Sequence, residues 1–289
     1  MTKAAGKTGD GPTVTVAIEQ LFPPEQRILN DSLAYRMLPG GMRAVVWMTK
    51  PAFIRNWFVR SLEKSAPGIW SGLMVRKRYI DEKLLDAVGQ VDALVNLGAG
   101  LDTRAYNLKA LTSLQTWEID QPVNSEAKRS AVAAALGAIP ARVTLVPIDF
   151  DREAIGDALA HRGYAQDTVA FFILEAVTQY LTEQGIAEVF GFMATAASGS
   201  RLVFTYVLKD FLDGTDTHGQ DELRKKYVTK ETLWLWGLDP DAVSDFLAGF
   251  GWRIVEHPTY AELSERYIAP TGRRLASTPI ERIVYAEKT

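Results

Sequence analysis

Hydrophobic and polar positions divide the chain into two textures. Residues 14–90 carry apolar side chains at near-helical spacing, interleaved with basic ones. Within residues 44–64, Val46, Trp47, Phe53, Ile54, Trp57, Phe58 and Leu62 follow a repeat close to 3.6, broken at Pro51, with Arg55 and Arg60 interrupting the stripe. Residues 73–88 read as one more amphipathic helix. From Val91 onward the pattern changes to short apolar runs separated by helix-length spacers: 93–97 (ALVNL), 116–120 (TWEID), 143–148 (VTLVPI), 169–174 (VAFFIL) and 202–207 (LVFTYV). Continuous apolar strands with helices between them predict a parallel sheet covered on both faces. Two closing runs, 252–256 (WRIVE) and 282–286 (RIVYA), flank a stretch rich in Gly, Pro, Arg and Thr. The plan is an α/β, Rossmann-like, seven-stranded sheet.

This texture sets the expected organisation. Residues 1–13, rich in Lys, Gly and Thr, read as a flexible tail. Residues 14–90 form an N-terminal helical lid and substrate region. Residues 91–289 form the ligand-binding core, with an insertion around 210–238. The 289 residues carry a net charge of −3 with no basic stripe, which argues against a nucleic-acid partner. Cysteine is absent, so disulfides and thiolate sites are excluded, and no metal is expected. No apolar run approaches the ~18 residues of a membrane helix, and the start has no signal-peptide core. A cytoplasmic enzyme acting on a small molecule, without a membrane partner, is the expectation.

Chemistry enters at Val95-Asn96-Leu97-Gly98-Ala99-Gly100-Leu101-Asp102-Thr103-Arg104. A buried strand runs into two glycines and then a helix start, which lets a ligand approach bare backbone. A dinucleotide site would want a third glycine where Thr103 stands. S-adenosylmethionine has no pyrophosphate and makes no such demand. Glu118 and Asp120 end the next strand, about twenty residues on, where a carboxylate suits the ribose hydroxyls; Asp120, at the very end, is the better placed. Asp149 and Phe150 follow the third strand and suit an adenine, the carboxylate for its amine and the ring for apolar cover, while Asp151 suits a helix cap. Glu175 emerges from the fourth strand at the ligand-binding edge and suits an ammonium group.

These residues resemble the leucine carboxyl methyltransferase family, including its bacterial branch of polyketide carboxyl methyltransferases. VNLGAGLDTRAYNL is similar to the family's cofactor motif, RKRYIDEKL (76–84) to its arginine-bearing helix, WEIDQPVNSEAKR (117–129) to its ribose-binding stretch, and ILEAVTQYL (173–181) to its glutamate motif. The resemblance implies the seven-stranded methyltransferase sheet with its last strand antiparallel, and S-adenosylmethionine as cofactor. It further implies that Arg76, or alternatively Arg78, grips the cofactor carboxylate, that Gly98 and Gly100 line its methionine and ribose, that Asp120 holds the ribose, that Asp149 and Phe150 meet adenine, and that Glu175 meets the ammonium. Two departures stand out: Ala176 where the family often has glycine, which would narrow the pocket slightly, and Asn107 where it has arginine.

Methyl transfer to an ionised carboxylate needs no general base, whereas an alcohol or phenol does. His161, His218 and His257 are the histidines, and only His218, in the loop after the fifth strand, is a candidate base. The reading therefore favours a carboxyl acceptor forming a methyl ester. A hydroxyl O-methyltransferase, or a module that binds S-adenosylmethionine without turnover, are the alternatives. Arg55 or Arg60 is expected to pair with an anionic acceptor, under a cover of Trp47, Trp57, Phe58 and Trp70, with Tyr180 and the insertion as further wall.

Overall fold

The computed structural model describes residues 10–148 and 153–289. Five helices precede the first strand: α1 (Asp10–Glu19), α2 (Ala34–Met37), α3 (Gly40–Met48), α4 (Ala52–Ser65) and α5 (Ile69–Ala87). The sheet then alternates with helices: β1 (Ala93–Leu97), α6 (Arg104–Asn107), β2 (Gln115–Asp120), α7 (Pro122–Leu136), β3 (Val143–Pro147), α8 (Ile155–Ala160), β4 (Ala170–Leu174), α9 (Glu183–Ala194) and β5 (Arg201–Val207). After β5 come α10 (Lys209–Asp213), α11 (Asp221–Arg224), a π-helical turn (Lys225–Lys230), α12 (Val243–Ala248), β6 (Trp252–Glu256), α13 (Tyr260–Tyr267) and β7 (Glu281–Lys288). The strand order is β3-β2-β1-β4-β5-β7-β6. Strands β1 to β5 pair in parallel, and β7 runs antiparallel between β5 and β6. The expected sheet is present.

The five parallel strands are apolar on both faces because both faces are covered. On one side Val95, Leu97, Phe172, Leu174 and Phe204 meet residues of α8, α9 and α12. On the other, Leu94, Phe171, Ile173, Val203 and Ile283 meet α1, α5 and α13. The N-terminal helices are thus not simply a lid: α5, with Trp70, Met74, Ile80 and Leu84 fully buried, is a load of packing on the sheet itself. Residues 10–13, assigned from sequence to a loose tail, begin α1, and Thr13 is buried. The alternation of Val14, Val16, Ala17 and Ile18, all buried, carries that helix onto the core.

The insertion folds over the carboxyl ends of β4 and β5. Trp236 packs on Phe246, Trp234 on Phe211 and Tyr227, and the Leu235 N–H donates to the Gln179 carbonyl at 2.6 Å. This contact sets it against the chain neighbour of Tyr180.

Candidate cofactor cleft

At the end of β1 the chain turns under β2: the N–H groups of Gly98 and Ala99 both donate to the Ile119 carbonyl, at 2.8 and 3.1 Å. Gly98 (φ +71°) and Gly100 (φ +43°) lie in the left-handed region, but their reasons differ. A Cβ on Gly98 would drive into Cγ2 of Val177, so this glycine permits the β1 and β4 loops to touch. A Cβ on Gly100 would meet nothing within 4 Å, so this glycine leaves the backbone bare toward open space. Asp120 fixes the turn: its Oδ2 accepts the Gly100 N–H at 2.7 Å, and its Oδ1 accepts from Gln121 N–H and Asn124 Nδ2, each at 2.7 Å. Glu118 lies deeper along the strand, buried, where Lys128 and the Tyr106 hydroxyl donate to it at 2.7 and 2.6 Å. Asp120 is the carboxylate that the cleft sees.

Beneath the turn sits a buried charge network. Arg76 on α5 donates to Glu175 at 3.0 Å and to Glu281 at 2.8 Å; Lys77 lies 3.4 Å from Glu175. Arg104 donates to Asp81 at 2.5 Å, to Glu175 at 2.7 Å and to Asp102. Burial alone would push the Glu175 carboxyl up, but Lys77, Arg104 and Arg76 outweigh it and hold the group well below the usual carboxylate range. Asp102 is likewise held low by Arg104 and Lys77 against its burial. For Asp81 burial wins over Arg104, and its pKa rises to about 6. Lys77, Asp81, Asp102 and Arg104 were not singled out from sequence. The readable signal was Lys77 and Asp81 four apart on one helix, and the charged Asp102-Thr103-Arg104 directly after the glycines.

The cleft above this network is lined by Pro12 and Thr13 from α1, by Arg76 and Lys77, by Asn96 and Gly98 to Asp102, by Asp120 and Asn124, and by Glu175 to Val177 with Tyr180. Three carboxylates (Asp102, Asp120, Glu175) face two cations there. Such walls suit a ligand carrying net positive charge and oppose a pyrophosphate. A sulfonium with an amino-acid end and a ribose fits this donor and acceptor set. Asp120 would take the ribose hydroxyls, Glu175 the ammonium and Arg76 the carboxylate, with Gly98 and Gly100 along the chain between them. The open volume, about 180 Å³, falls below the ~300 Å³ at which sites for molecules of that size begin. Part of the wall, Pro12 and Thr13, belongs to α1.

Thr103, the residue that replaces the third dinucleotide glycine, has its own task. Its hydroxyl donates to Asp31 Oδ2 at 2.5 Å, while Asp31 Oδ1 accepts the N–H groups of Leu33 and Ala34 at the start of α2. The glycine turn is thereby latched to the N-terminal helices. Asn107, where the family resemblance implies arginine, accepts from Ser32 at 2.9 Å in the same seam. Ala176, where it often implies glycine, adopts φ +54° and lines the cleft.

Other expected site residues lie elsewhere. Arg55 turns inward, its guanidinium 4.5 Å from the Phe22 ring centroid and donating to the Lys50 carbonyl. Trp57 and Trp47 face solvent, Arg60 and Arg78 are exposed, and Trp70 is buried with its Nε1 donating to Glu19 at 2.9 Å. None of these lines the cleft. The structure thus does not bring Arg55 and Trp57 to the cleft: Arg55 stacks on Phe22, and Trp57 points out to solvent. Tyr180 does line the cleft. His218, the candidate base, is not among the cleft residues; its Nε2 lies 3.1 Å from Asp210 in the loop beyond β5, and with Asp216 these side chains bring ligating atoms within 4.8 Å of one another. His257 pairs with the Tyr206 hydroxyl at 3.0 Å, its pKa lowered by burial and by Arg282. Asp149 and Phe150, with Asp151, lie outside the described residues.

Comparison with known proteins bears on the family and the fold. A relative from Mycolicibacterium smegmatis named a putative S-adenosyl-L-methionine-dependent methyltransferase is 33% identical over 203 residues, covering 68% of this chain and 66% of its own length. One from Mycolicibacterium gilvum with the same description is 30% identical, covering 80% and 77%. Among solved structures, a putative methyltransferase from Thermobifida fusca superposes with a TM-score of 0.57 at 15% identity, over 82% of this chain and 88% of that one, a likeness of fold. Among the described residues no helix is long and apolar enough to cross a membrane. The profile of the leucine carboxyl methyltransferase family matches residues 11–194, and the chain belongs to that family of S-adenosylmethionine-dependent methyltransferases.

Proposed function

We propose that this chain methylates a carboxylate on a small-molecule acceptor, forming a methyl ester. The observation that carries the reading is the chemistry of the cleft: among the described residues no histidine lines it, and its carboxylates are tied to cations or to the glycine turn. When bound, S-adenosylmethionine supplies an electrophilic methyl group on a sulfonium. An ionised acceptor carboxylate needs no proton removed, so alignment and exclusion of water suffice. Tyr180 and the first turn of α1 stand at the cleft where an acceptor would enter. A hydroxyl acceptor would instead need a base at this position, and His218 is committed to Asp210.

The test is a matched panel: apolar and aromatic carboxylic acids against the corresponding alcohols and phenols, each with S-adenosylmethionine, followed by mass spectrometry. Methyl esters that mild hydroxide removes, with a rate flat from about pH 6 to 8, are expected. Methylation confined to hydroxyls, rising with pH, would overturn the carboxyl assignment while leaving the family intact.

A further inference from the structure

Helix α4, the second of the α3–α4 hairpin, is apolar on its outer face as well as on its inner one. On α4 the inward positions are Arg55 and Val59, with Phe58 and Leu62 half-buried behind them, while Phe53 and Trp57, four residues apart, face outward. Four of the large apolar side chains that reach solvent most fully fall in this one hairpin: Phe53 is 76% exposed, Trp57 67%, Trp47 60% and Met48 53%. The last two end α3, and only Thr49–Pro51 separates them from α4, so four exposed large apolar side chains fall within one short stretch of chain, with the exposed Met42 one and a half turns earlier on α3. Exposed aromatic groupings of this kind mark interaction sites. The inward turn of Arg55 is accounted for by Phe22; nothing in the fold accounts for what the outward face does.

Charge identifies the occupant. Exposed Arg43, Lys50, Arg60 and Lys64 accompany the aromatics along this stretch of chain, and Arg60 and Lys64 continue the stripe of Phe53 and Trp57 along α4. The one carboxylate of the hairpin, Glu63, is half-buried and accepts the N–H groups of Gly68 and Trp70 at 3.1 and 3.0 Å. An unopposed positive face thus stands on a chain whose net charge is −3. A second copy docked two-fold on this face would set four cations against four. Tryptophan, phenylalanine and methionine inside a rim of arginine and lysine match an anionic bilayer surface, the rings at headgroup depth and the cations on the phosphates. We propose that the α3–α4 hairpin docks the protein peripherally on anionic membranes, a surface contact that requires no spanning helix and does not rest on the identity of the acceptor.

Vesicle co-sedimentation of the full chain tests this. Vesicles of equal parts phosphatidylglycerol and phosphatidylcholine should carry the protein down at low salt, with loss on adding salt, and pure phosphatidylcholine should carry little. The double substitution Phe53→Ser, Trp57→Ser, at exposed positions, should weaken binding about tenfold or more while leaving the melting temperature near that of the parent. Arg60→Glu with Lys64→Glu should weaken it by roughly fivefold for each positive charge removed. Failure to sediment with the anionic vesicles would overturn the proposal. So would unchanged binding by the serine variant, or a concentration-dependent dimer in analytical ultracentrifugation that the serine variant dissolves.

Discussion

Two buried ion clusters join the N-terminal helices to the rest of the molecule, and they are built oppositely. Beneath the cleft, three cations (Arg76, Lys77, Arg104) meet four carboxylates (Asp81, Asp102, Glu175, Glu281). Under α1 and α4, two guanidiniums, Arg55 and Arg273, flank Phe22 at 4.5 and 4.0 Å and share the single carboxylate of Glu19, to which Arg273 donates at 2.7 Å. Glu19 also accepts Ile28 N–H and Trp70 Nε1, so its oxygens are fully engaged by protein. The cationic cluster is closed and joins elements; the anionic one opens on a cleft. A surplus of negative charge at an opening is complementary to a positively charged cofactor, whereas a surplus inside a closed seam, spread over an aromatic ring, serves packing alone.

Neutralising one carboxylate in each cluster should break the symmetry of burial and reveal the difference of function. Glu19→Gln leaves the Arg55 and Arg273 guanidiniums without their carboxylate, at a cost of about 3–5 kcal/mol in stability read from thermal or urea unfolding, whereas after Glu175→Gln Arg76 keeps Glu281 and Arg104 keeps Asp81 and Asp102, so the loss of stability is smaller. Only Glu175→Gln should also weaken S-adenosylmethionine binding, by about a hundredfold in calorimetry, because only it removes the ammonium acceptor. Equal loss of cofactor affinity in both would erase the distinction. By the same logic Arg55→Ala should lower the melting temperature and leave acceptor KM alone.

A pH scan sharpens the contrast inside the open cluster. Glu175 and Asp102 have folded pKa values below their ordinary ones, so their contribution is present above about pH 4.5 and fades as pH falls below it. Asp81 is shifted the other way, to about 6, so its contribution is full below about pH 4 and is lost as pH rises through 6. Between pH 4 and 6 the stability difference between Asp81→Asn and the parent should therefore move in favour of the variant, by up to about 3 kcal/mol. A difference independent of pH would show that Asp81 stays ionised throughout.

The smallest stability effect belongs to the glycine turn. Gly100→Ala meets only left-handed backbone strain, about 1 kcal/mol, with no neighbour within 4 Å, yet its methyl enters the open side of the turn. Near-parental stability with a clear loss of cofactor affinity is expected. The reverse result would place the ligand elsewhere.

The central strands were legible because burial on both faces writes itself as continuous apolar runs: Ala93–Leu97 emerges where the sequence predicts it, as does the half-exposed edge strand Trp252–Glu256, and the others within a residue or two. The glycine turn, Asp120 and Glu175 were legible from their order along the chain. What pattern could not supply was the orientation of α4. Its apolar stripe points inward by periodicity, but Arg55 is recruited by Phe22, thirty-three positions earlier, beside a carboxylate at Glu19 and a second arginine at 273. Such long-range partners leave no local trace. The depth that separates Glu118 from Asp120 was hidden for the same reason, since Lys128 reaches back from α7 to claim it.

The position of β7 has a consequence for how the chain is made. This strand, which follows both of its neighbours in chain order, lies between β5 and β6 and is the one partner β6 has in the sheet among the described residues. While the ribosome is still adding residues 208–280, the edge of β5 presents unpaired N–H and carbonyl groups on a strand buried on both faces, and β6 has nothing to join. The nascent protein must therefore carry two adhesive edges until residues 281–288 clear the exit tunnel and zip both at once. Translation stalled in that window should be the moment at which this protein most needs a chaperone.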